Sequence, residues 1–424
     1  MKIRSLFILL LVQLNAFAQK SWYPIPGAPA ETRIEDISFI SDSTGFLEAN
    51  DTIYKTVDAG STWTVSGTFF PGYVRSIEFI NDTLGFIGTL LQAPTAAGIY
   101  RTQDGGQTWA SLQSLLPNPP AWGICGIAHY HQSIVAVGSV MTESNVYYSH
   151  DAGNTWSQVN LSAFANALID VFMLDSLTWL VSGKSNTASF QKATILRTDD
   201  GGQTWTRVAL AGNGNTYCWK IFMQNNGTGY GSIEDFTGVS FFRTLDNGLT
   251  WQESILNGFL QSDVGATAVW NDTTVWLGVQ HNSGYFESHD AGLNWTYSNA
   301  GLNMNRMVIP DGITPLCVGA TVYRYGTTTG WSFPVPAGDA HHLEIFPTPA
   351  SGTFSIRINL SVATPLYIII TDLQGRLIKL LDHSSHPAGP VRFDVSVEGW
   401  ENGSYVVQVI SNQQNFGRRF QVMK

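Results

Sequence analysis

An eight-residue pattern occurs six times at nearly constant spacing in this chain of 424 residues. It reads Ser or Thr, any residue, Asp, any residue, Gly, two further residues and Trp, in the segments 56–63, 102–109, 149–156, 198–205, 244–251 and 288–295. Successive Trp residues of the pattern are 46, 47, 49, 46 and 44 positions apart. A repeat of this length is typical of propeller blades or solenoid units, in which each repeat is one supersecondary unit.

Each repeat also has the same internal plan. In the second repeat, apolar runs at 77–80, 85–88 and 99–101 precede the pattern, a polar turn separates the first two runs, and Trp109 opens a fourth. Four short strands in one repeat correspond to one propeller blade.

Charged residues make up only 13% of the chain, against about 25% in a typical soluble domain, which argues against long solvent-exposed helices.

The pattern itself predicts a tight hairpin turn between the third and fourth strands of each blade. The Asp side chain can accept hydrogen bonds from turn amides, and the Gly can adopt a left-handed backbone angle. The Ser or Thr hydroxyl can close the turn, and the Trp can pack in the blade core. We therefore interpret six aspartates as structural: Asp58, Asp104, Asp151, Asp200, Asp246 and Asp290.

A seventh, degenerate repeat follows the sixth. Its strands are predicted at 307–309, 316–318 and 322–325, and a turn ending at Gly330-Trp331 lacks the Asp. The segment 21–26 resembles 330–336, and both fit an outermost fourth strand. We predict seven blades, with the N-terminal strand completing or covering the last one, because such closure removes exposed sheet edges.

The repeated pattern resembles the Asp box of the sialidase-like (BNR) β-propellers. Similar boxes occur in xyloglucan-cleaving hydrolases, sortilin-type receptors and propellers of the photosystem II stability/assembly-factor type. The resemblance implies a β-propeller and places the boxes on the face away from the active site. It does not decide the function, because enzymes and non-enzymes share the box.

Residues 341–424 contain no such pattern and differ in charge from the rest of the chain. They hold 7 basic and 6 acidic residues, whereas residues 19–340 hold 13 basic and 26 acidic ones. Between the two parts, Pro334, Pro336 and Gly338 indicate a linker. We predict an all-β chain with a seven-bladed β-propeller over 19–338, followed by a small Ig-like β-sandwich of seven strands over 341–424.

The second domain resembles the C-terminal sorting domain of type IX secretion substrates. The matching segments are 346–354, 372–376 and 403–405, and Thr348 stands where that family usually has Asn. The resemblance implies contact with the type IX secretion machinery and passage through an outer membrane. It also implies release, or attachment to surface polysaccharide, after removal of the tail. A plain adhesive sandwich module is the alternative.

The first residues of the chain predict a signal peptide over 1–18. Lys2 and Arg4 precede an apolar run at 6–12, and 16–18 has the small-x-small form of a cleavage site. We expect cleavage before Gln19. The apolar run is too short to span a bilayer, and no later segment has 18 uninterrupted apolar residues. We therefore expect a secreted or outer-membrane surface-attached protein without a transmembrane segment.

Several kinds of chemistry lack a sequence signature. The net charge of −10 and the scarcity of basic clusters argue against a nucleic-acid partner. Cys125, Cys218 and Cys317 lie far apart in apolar runs, and we expect buried free thiols. His129 and His131 would share one side of a strand, but without a third ligand they predict no metal site. No cofactor-binding motif is found, so we predict no cofactor.

The axial face of the propeller, near the starts of the innermost strands, is the predicted ligand site, because pockets favour such concave channels. Aromatic rings beside charged groups would suit sugar or peptide recognition. The repeat places these residues there: Arg33, Glu35, Asp36, Tyr73, Arg75, Trp122, Tyr217, Trp219, Lys220, Asp263 and Arg306.

A sialidase-like glycoside hydrolase would need three arginines that hold a carboxylate, a Tyr–Glu nucleophile pair and an acidic Asp. Arg33, Arg75 and Arg306 come from adjacent blades and could converge. However, the family's Phe/Tyr-Arg-Ile-Pro start is absent, because Glu35 follows Arg33-Ile34, and no Tyr–Glu partner is identifiable. A xyloglucan hydrolase would need two opposed carboxylates, and its family uses two propellers where this chain has one.

The three arginines also have an interpretation as rim residues paired with Glu35, Asp36 or Glu78, since surface charge pairs are common and mostly inert. The sequence therefore favours a non-catalytic binding or scaffolding module for a glycan or a protein at the cell surface. A sialidase-like glycoside hydrolase is the alternative. An assembly factor similar to the photosystem-associated propellers would likewise have a protein partner and no turnover.

Overall fold

The structure is a computed structural model that describes residues 20–69, 72–90, 98–138, 144–187, 191–212, 214–235, 238–256, 262–326, 343–360, 363–372, 377–382, 384–411 and 415–424. Over these ranges the chain forms strands and turns without a helix, and so without a helix able to cross a membrane. The predicted signal peptide and linker, with Gly330-Trp331, lie outside the described residues.

Twenty-eight strands build the propeller as seven groups of four antiparallel strands. After β1 (Ser21–Pro24), the first three blades comprise β2 (Ile37–Phe39), β3 (Gly45–Ala49), β4 (Thr52–Thr56), β5 (Thr64–Thr68); β6 (Tyr73–Phe79), β7 (Gly85–Leu90), β8 (Gly98–Thr102), β9 (Ala110–Ser111); and β10 (Ile124–Tyr130), β11 (Ser133–Gly138), β12 (Asn145–Ser149), β13 (Ser157–Asn160).

The next three blades continue in chain order. They comprise β14 (Ala165–Met173), β15 (Trp179–Ser185), β16 (Ala193–Thr198), β17 (Thr206–Ala211); β18 (Tyr217–Met223), β19 (Gly229–Asp235), β20 (Ser240–Thr244), β21 (Gln252–Ile255); and β22 (Ser262–Trp270), β23 (Thr274–Val279), β24 (Ser283–Ser288), β25 (Thr296–Leu302). Blades five and six are joined where β19 also pairs with β22. The first strands of neighbouring blades contact one another around the central axis.

The N-terminal strand closes the propeller. The seventh blade consists of β26 (Arg306–Val308), β27 (Leu316–Val318) and β28 (Val322–Gly326), and β1 pairs with β28 as its outermost strand. Trp22 of β1 is fully buried, and its ring lies 5.3 Å from that of Trp276 in blade six. The predicted seven blades and their closure by the N-terminal strand are thus confirmed.

The six repeated turns between third and fourth strands share one hydrogen-bond pattern, except that the Asn294 side-chain amide replaces the Thr hydroxyl in the sixth. In the third copy, Asp151 Oδ1 accepts hydrogen bonds from the Ser149 hydroxyl (2.8 Å) and the Thr155 amide (2.8 Å), and its Oδ2 accepts one from the Thr155 hydroxyl (2.7 Å). The Ser149 hydroxyl in turn accepts a bond from the Gly153 amide (2.9 Å), and Trp156 Nε1 donates to the Gly153 carbonyl (3.0 Å). The bonds to Asp151 lower the pKa of its carboxyl to about 2.

An arginine on the third strand of one blade reaches the repeated turn of the next blade. Arg101 donates to the Gly153 carbonyl (3.2 Å), and Arg197 donates to the Asn247 carbonyl (2.7 Å). Arg324, in blade seven, closes the ring by donating to the Ala59 carbonyl (3.1 Å) in blade one. These bonds link neighbouring blades at the face that carries the repeated turns.

The C-terminal part folds as two facing sheets. One contains β29 (Leu343–Phe346), β30 (Thr353–Leu360) and β34 (Gly389–Ser396), and the other contains β31 (Thr364–Asp372), β32 (Leu377–Asp382), β35 (Gly403–Ser411) and β36 (Asn415–Val422). Inward-facing residues such as Ile356, Ile368 and Val407 form its core. The seven predicted strands are joined by an eighth, the two-residue edge strand β33 (Ser385–His386), which pairs with β31.

The predicted state of the cysteines is also confirmed. Cys125, Cys218 and Cys317 are all buried, and all are free thiols. Each lies in the first or second strand of its blade, where the side chain packs against apolar neighbours. Burial raises the pKa of each thiol above its ordinary value.

We predict that Ala152→Gly stabilises the propeller by up to about 1 kcal/mol, because Ala152 has a left-handed backbone angle (φ 58°) that costs a non-glycine residue about that much. Two other repeated turns already have Gly at the equivalent position, Gly105 and Gly201. Urea unfolding of the full chain measures the change. The control Ala110→Gly lies in a strand and should destabilise the propeller. If Ala152→Gly also destabilised it, the left-handed backbone angle would not be a source of strain.

We predict that Thr155→Val destabilises the propeller by about 1 kcal/mol at neutral pH, because Asp151 loses one hydrogen bond. The folded pKa of Asp151, about 2, lies below its unfolded value of 3.8. Its hydrogen bonds therefore stabilise the fold fully above about pH 4, and this stabilisation is lost as the pH falls through about 2. The difference in unfolding free energy between the wild type and Thr155→Val, measured by urea unfolding, should shrink as the pH falls through that interval. A difference that stays constant would contradict this role of Asp151.

Candidate ligand-binding site on the axial face

Glu35 lies at the centre of a buried polar cluster near the axis. It precedes β2 and accepts hydrogen bonds from Arg33 (2.6 and 2.8 Å), from Asn305 (2.8 Å) and, at shorter range, from Arg75 and Tyr73. The carboxylate is only 4% exposed. Burial by itself raises the pKa of Glu35, but the positive charges of Arg75 and Arg33 outweigh it and hold that pKa below its ordinary value.

A second charged cluster lies beside the first. Arg306, at the start of β26, donates to Asp36 (2.8 Å) and to Asp170 of β14 (2.7 Å). Lys220 Nζ lies 4.0 Å from Asp170 Oδ1 and has no hydrogen-bond partner among the described residues. Burial and the like charge of Arg306 lower the pKa of Lys220 to about 8. Burial also raises the pKa of Asp36, whereas at Asp170 burial is outweighed by the charges of Arg306 and Lys220, which lower that pKa.

A cavity of about 300 Å³ opens on the axial face above Glu35. Its wall combines two arginines, three aromatic rings, apolar side chains and one carboxyl group: Arg33, Tyr73, Arg75, Leu90, Cys125, Ile169, Tyr217, Trp219 and Glu234. The Arg75 guanidinium lies 5.1 Å from the Trp219 ring centroid, and Trp219 Nε1 donates to Asn305 (3.1 Å). The rings and guanidinium groups are therefore held in fixed positions before any ligand arrives.

The structure brings five of the predicted site residues to this cavity: Arg33, Tyr73, Arg75, Tyr217 and Trp219. Glu35 lies behind them as their common acceptor. Asp263, at the start of β22, lies 3.6 Å from His281 and does not line the cavity. Trp122, 38% exposed, precedes β10 and is also absent from the cavity wall.

The three arginines do not converge on one point. Arg33 and Arg75 share Glu35, whereas Arg306 belongs to the cluster of Asp36 and Asp170. The interpretation as rim residues needs correction as well, because Arg75 is only 3% exposed and lies inside the channel.

Of the three acids offered as partners of the arginines, Glu35 and Asp36 pair with them, whereas Glu78 pairs with a histidine. Glu78 accepts from His129 (2.7 Å). His129 and His131 do not share a side of a strand, because β10 ends at Tyr130 and His131 has a left-handed backbone angle in the following turn. Among the described residues no group of three His, Cys, Asp or Glu is arranged to hold a metal ion.

A Tyr–Glu pair that the sequence did not reveal is present in the structure. The Tyr73 hydroxyl donates to Glu35 Oε1, across 38 residues of chain. Burial and the negative charge of Glu35 raise the pKa of Tyr73 to about 12. A phenol with such a pKa is protonated at neutral pH, and the Glu35 carboxylate beside it has a lowered pKa, so this pair is poorly suited to proton transfer.

Sequence reasoning missed three polar residues of the site. Asp170 stands inside the apolar strand sequence Leu-Ile-Asp-Val-Phe, and a charge in such a position was the available signal. Glu234, at the end of β19, contributes the carboxyl group that lines the cavity, and burial together with the charge of Asp263 raises its pKa. Asn305 precedes β26 and has no distinguishing pattern in the sequence.

Comparison with protein families identifies the C-terminal domain. The model of the secretion system C-terminal sorting domain matches residues 344–423. The fold and this domain define the class: an exported seven-bladed propeller with a type IX sorting tail. The protein is therefore secreted or attached to the cell surface.

One curated relative matches part of the chain. The vacuolar protein sorting/targeting protein 10 of Schizosaccharomyces japonicus is 30% identical over 134 residues. That match covers 30% of this chain and only 8% of the relative's length.

Solved propeller structures share the fold at low sequence identity. A structure of YCF48 bound to D1 peptide is 20% identical, with a TM-score of 0.53, and the match covers 72% of this chain and 96% of that one. The GH74 enzyme of Niastella koreensis is 13% identical, with a TM-score of 0.54, over 94% of this chain and 67% of that one. YCF48 from Cyanidioschyzon merolae is 18% identical, with a TM-score of 0.53, and the match covers 72% of this chain and 98% of that one. These similarities establish the fold alone.

We predict that Arg306→Met destabilises the propeller by about 3–5 kcal/mol, because it leaves the buried acids Asp36 and Asp170 with only the more distant Lys220 ammonium as a counter-ion. The matched control Arg33→Met should cost less, about 1 kcal/mol, because Glu35 keeps Arg75. Denaturant unfolding of the full chain compares the two variants. Equal losses of unfolding free energy in the two variants would contradict the assignment of Arg306 as the main counter-ion of two buried acids.

Proposed function

We propose that this exported propeller is a non-catalytic binding or scaffolding module that holds a glycan or protein segment in its axial cavity. The observation that carries the proposal is the composition of the cavity wall. Tyr217 and Trp219 offer aromatic surface beside the guanidinium groups of Arg33 and Arg75. Such a combination suits recognition of sugars and peptides, and the volume of about 300 Å³ lies at the lower end of the range for ligand pockets.

The electrostatics favour binding over catalysis. The Glu35 carboxylate accepts hydrogen bonds from four side chains, and its lowered pKa makes it a weak base. Asp36 and Asp170 are occupied by Arg306 and lie outside the cavity wall. The Glu35 carboxylate thus holds the guanidinium groups of Arg33 and Arg75 in place at the cavity.

A ligand made of protein has independent support from a structural relative. The YCF48 structure holds a D1 peptide, and that propeller matches this chain over 96% of its own length. We infer that the six repeated turns are Asp boxes and that this chain, like that relative, binds a protein segment. The signal peptide over 1–18 and the propeller boundaries at 19 and 338 belong to the same proposal.

The alternative is a sialidase-like glycoside hydrolase, and two observations bear on it. Glu234 lines the cavity with a raised pKa, as a general acid requires. Most glycosidases use two opposed carboxylates, and a second one is missing from the cavity wall as the described residues form it. A sialidase-like enzyme would use a Tyr–Glu pair instead, as Tyr73 and Glu35 form one, but it also needs three arginines, and Arg306 does not line this cavity. The GH74 relative shares the fold, and at 13% identity this similarity does not assign its activity to the chain.

The test is a glycan array, a random peptide array and a panel of fluorogenic glycosides, all applied to the full chain. We expect binding without hydrolysis, weakened about ten-fold by Tyr217→Ala. The matched control is Tyr130→Ala, an exposed aromatic at the other end of an innermost strand. Turnover that Glu234→Gln abolishes would establish the hydrolase, and binding that Tyr217→Ala leaves unchanged would refute the axial site.

A further inference from the structure

The polar side chains in the wall of the axial cavity already have partners within the protein. Arg33, Tyr73 and Arg75 donate to the Glu35 carboxylate behind the wall. The other polar side chains of the wall are bonded to neighbours outside it: Trp219 to Asn305 (3.1 Å), Tyr217 to Lys184 (3.2 Å) and Glu234 to Gln280 (3.1 Å). A hydroxyl-rich ligand would have to compete with these bonds, and its own bonds to water would be incompletely replaced.

The charges around the wall disfavour a charged ligand. The Lys184 ammonium lies 4.6 Å from the Tyr217 ring centroid, and the Arg75 guanidinium lies 5.1 Å from that of Trp219. A ligand cation that approached either ring would therefore meet a like charge. A ligand anion would find both guanidinium groups of the wall already bonded to Glu35, and a carboxyl group on the same wall.

Most of the exposed surface of the wall is apolar. Leu90, Tyr217 and Trp219 are partly exposed, and they pack on a buried apolar cluster that includes Cys125 and Ile169. The two rings lie edge to face, with their centroids 6.1 Å apart and 85° between their planes. An apolar group that enters the cavity would contact these side chains and would remove their apolar surface, and its own, from water.

An exposed tryptophan lies next to this apolar surface, on the rim of the axial face. Trp122 is 38% exposed, and the residue after it, Gly123, forms an isolated β-bridge with Leu90 of the wall. Glycine is required at that position, because a Cβ atom would lie 2.0 Å from the Thr89 carbonyl oxygen. This close approach places Trp122 beside the cavity. Tryptophan and tyrosine are among the residues that most often anchor protein interfaces.

We propose that the axial cavity takes one uncharged apolar side chain, such as Leu, Met or Phe, from a protein segment that crosses the rim at Trp122. This side chain belongs to the ligand of the proposed function, on which the proposal rests, and it selects protein over glycan as the ligand class. The volume of about 300 Å³ lies at the lower end of the range for ligand pockets, and it suits one large side chain better than several sugar rings.

The test is a random peptide array and a glycan array, both applied to the full chain, followed by fluorescence anisotropy with the best-bound peptide. We expect the bound peptides to share one apolar position, and replacement of that residue by Ser to weaken binding about ten-fold. Leu90→Asn, which puts a polar group in the wall, should weaken the same peptide about five-fold, whereas Leu90→Met should change its affinity by less than about two-fold. Bound peptides that share a charged position, or no position, would overturn the proposal.

A second variant keeps the test decisive if Leu90→Asn fails to fold. Trp122→Ala changes an exposed residue and should weaken the peptide about five-fold. Tyr130→Ala is the matched control and should leave the affinity unchanged, because Tyr130 is also 38% exposed but lies at the far end of β10, the strand that follows Trp122. Peptide binding that both Leu90→Asn and Trp122→Ala leave unchanged would overturn the proposal.

The two arrays also separate this proposal from the proposed function. Binding of glycans alone, lost in Tyr217→Ala, would overturn the apolar side chain as occupant and leave a binding module with an axial site. Absence of binding on both arrays would refute the binding function and this occupant together.

Discussion

The hydrogen-bonded turn that joins the third and fourth strands of blades one to six is the interaction on which the propeller depends. Its aspartate accepts bonds from its own turn, and the turn offers a backbone carbonyl to an arginine of the preceding blade, as at Gly153 and Asn247. The same few atoms therefore fix the hairpin and the contact between blades. Such a unit can be repeated around a ring, because it requires nothing from distant parts of the chain.

With the blades linked at one face, the innermost strands can carry charges at the other. Charged side chains at the starts of the innermost strands are buried near the axis, so these polar groups must pair with one another. Glu35 with Arg33 and Arg75, and Arg306 with its two aspartates, meet this requirement. The result is a rigid layer of ion pairs behind the axial cavity. It holds the side chains of the cavity wall in position, as a preorganised surface requires.

The fold was predictable from the sequence because its signals are local and repeated. Spacing of the pattern predicted six blades, and the likeness of 21–26 to 330–336 predicted the closing strand. The partners within the site were not predictable in the same way. Arg306 and Asp170 are 136 residues apart, and Tyr73 and Glu35 come from different blades. Their pairing depends on the angle between blades and on side-chain direction, neither of which a repeat pattern encodes.

The two ends of the innermost strands show how one repeat architecture yields two different surfaces. At the axial end, the residue that begins the innermost strand differs from blade to blade. Charges of both signs therefore accumulate there and neutralise one another. At the other end, the turns after β18 and β22 need residues that tolerate left-handed angles, and Asn271 and Asp272 both adopt them. Turn chemistry thus supplies amides to that face as a consequence of folding.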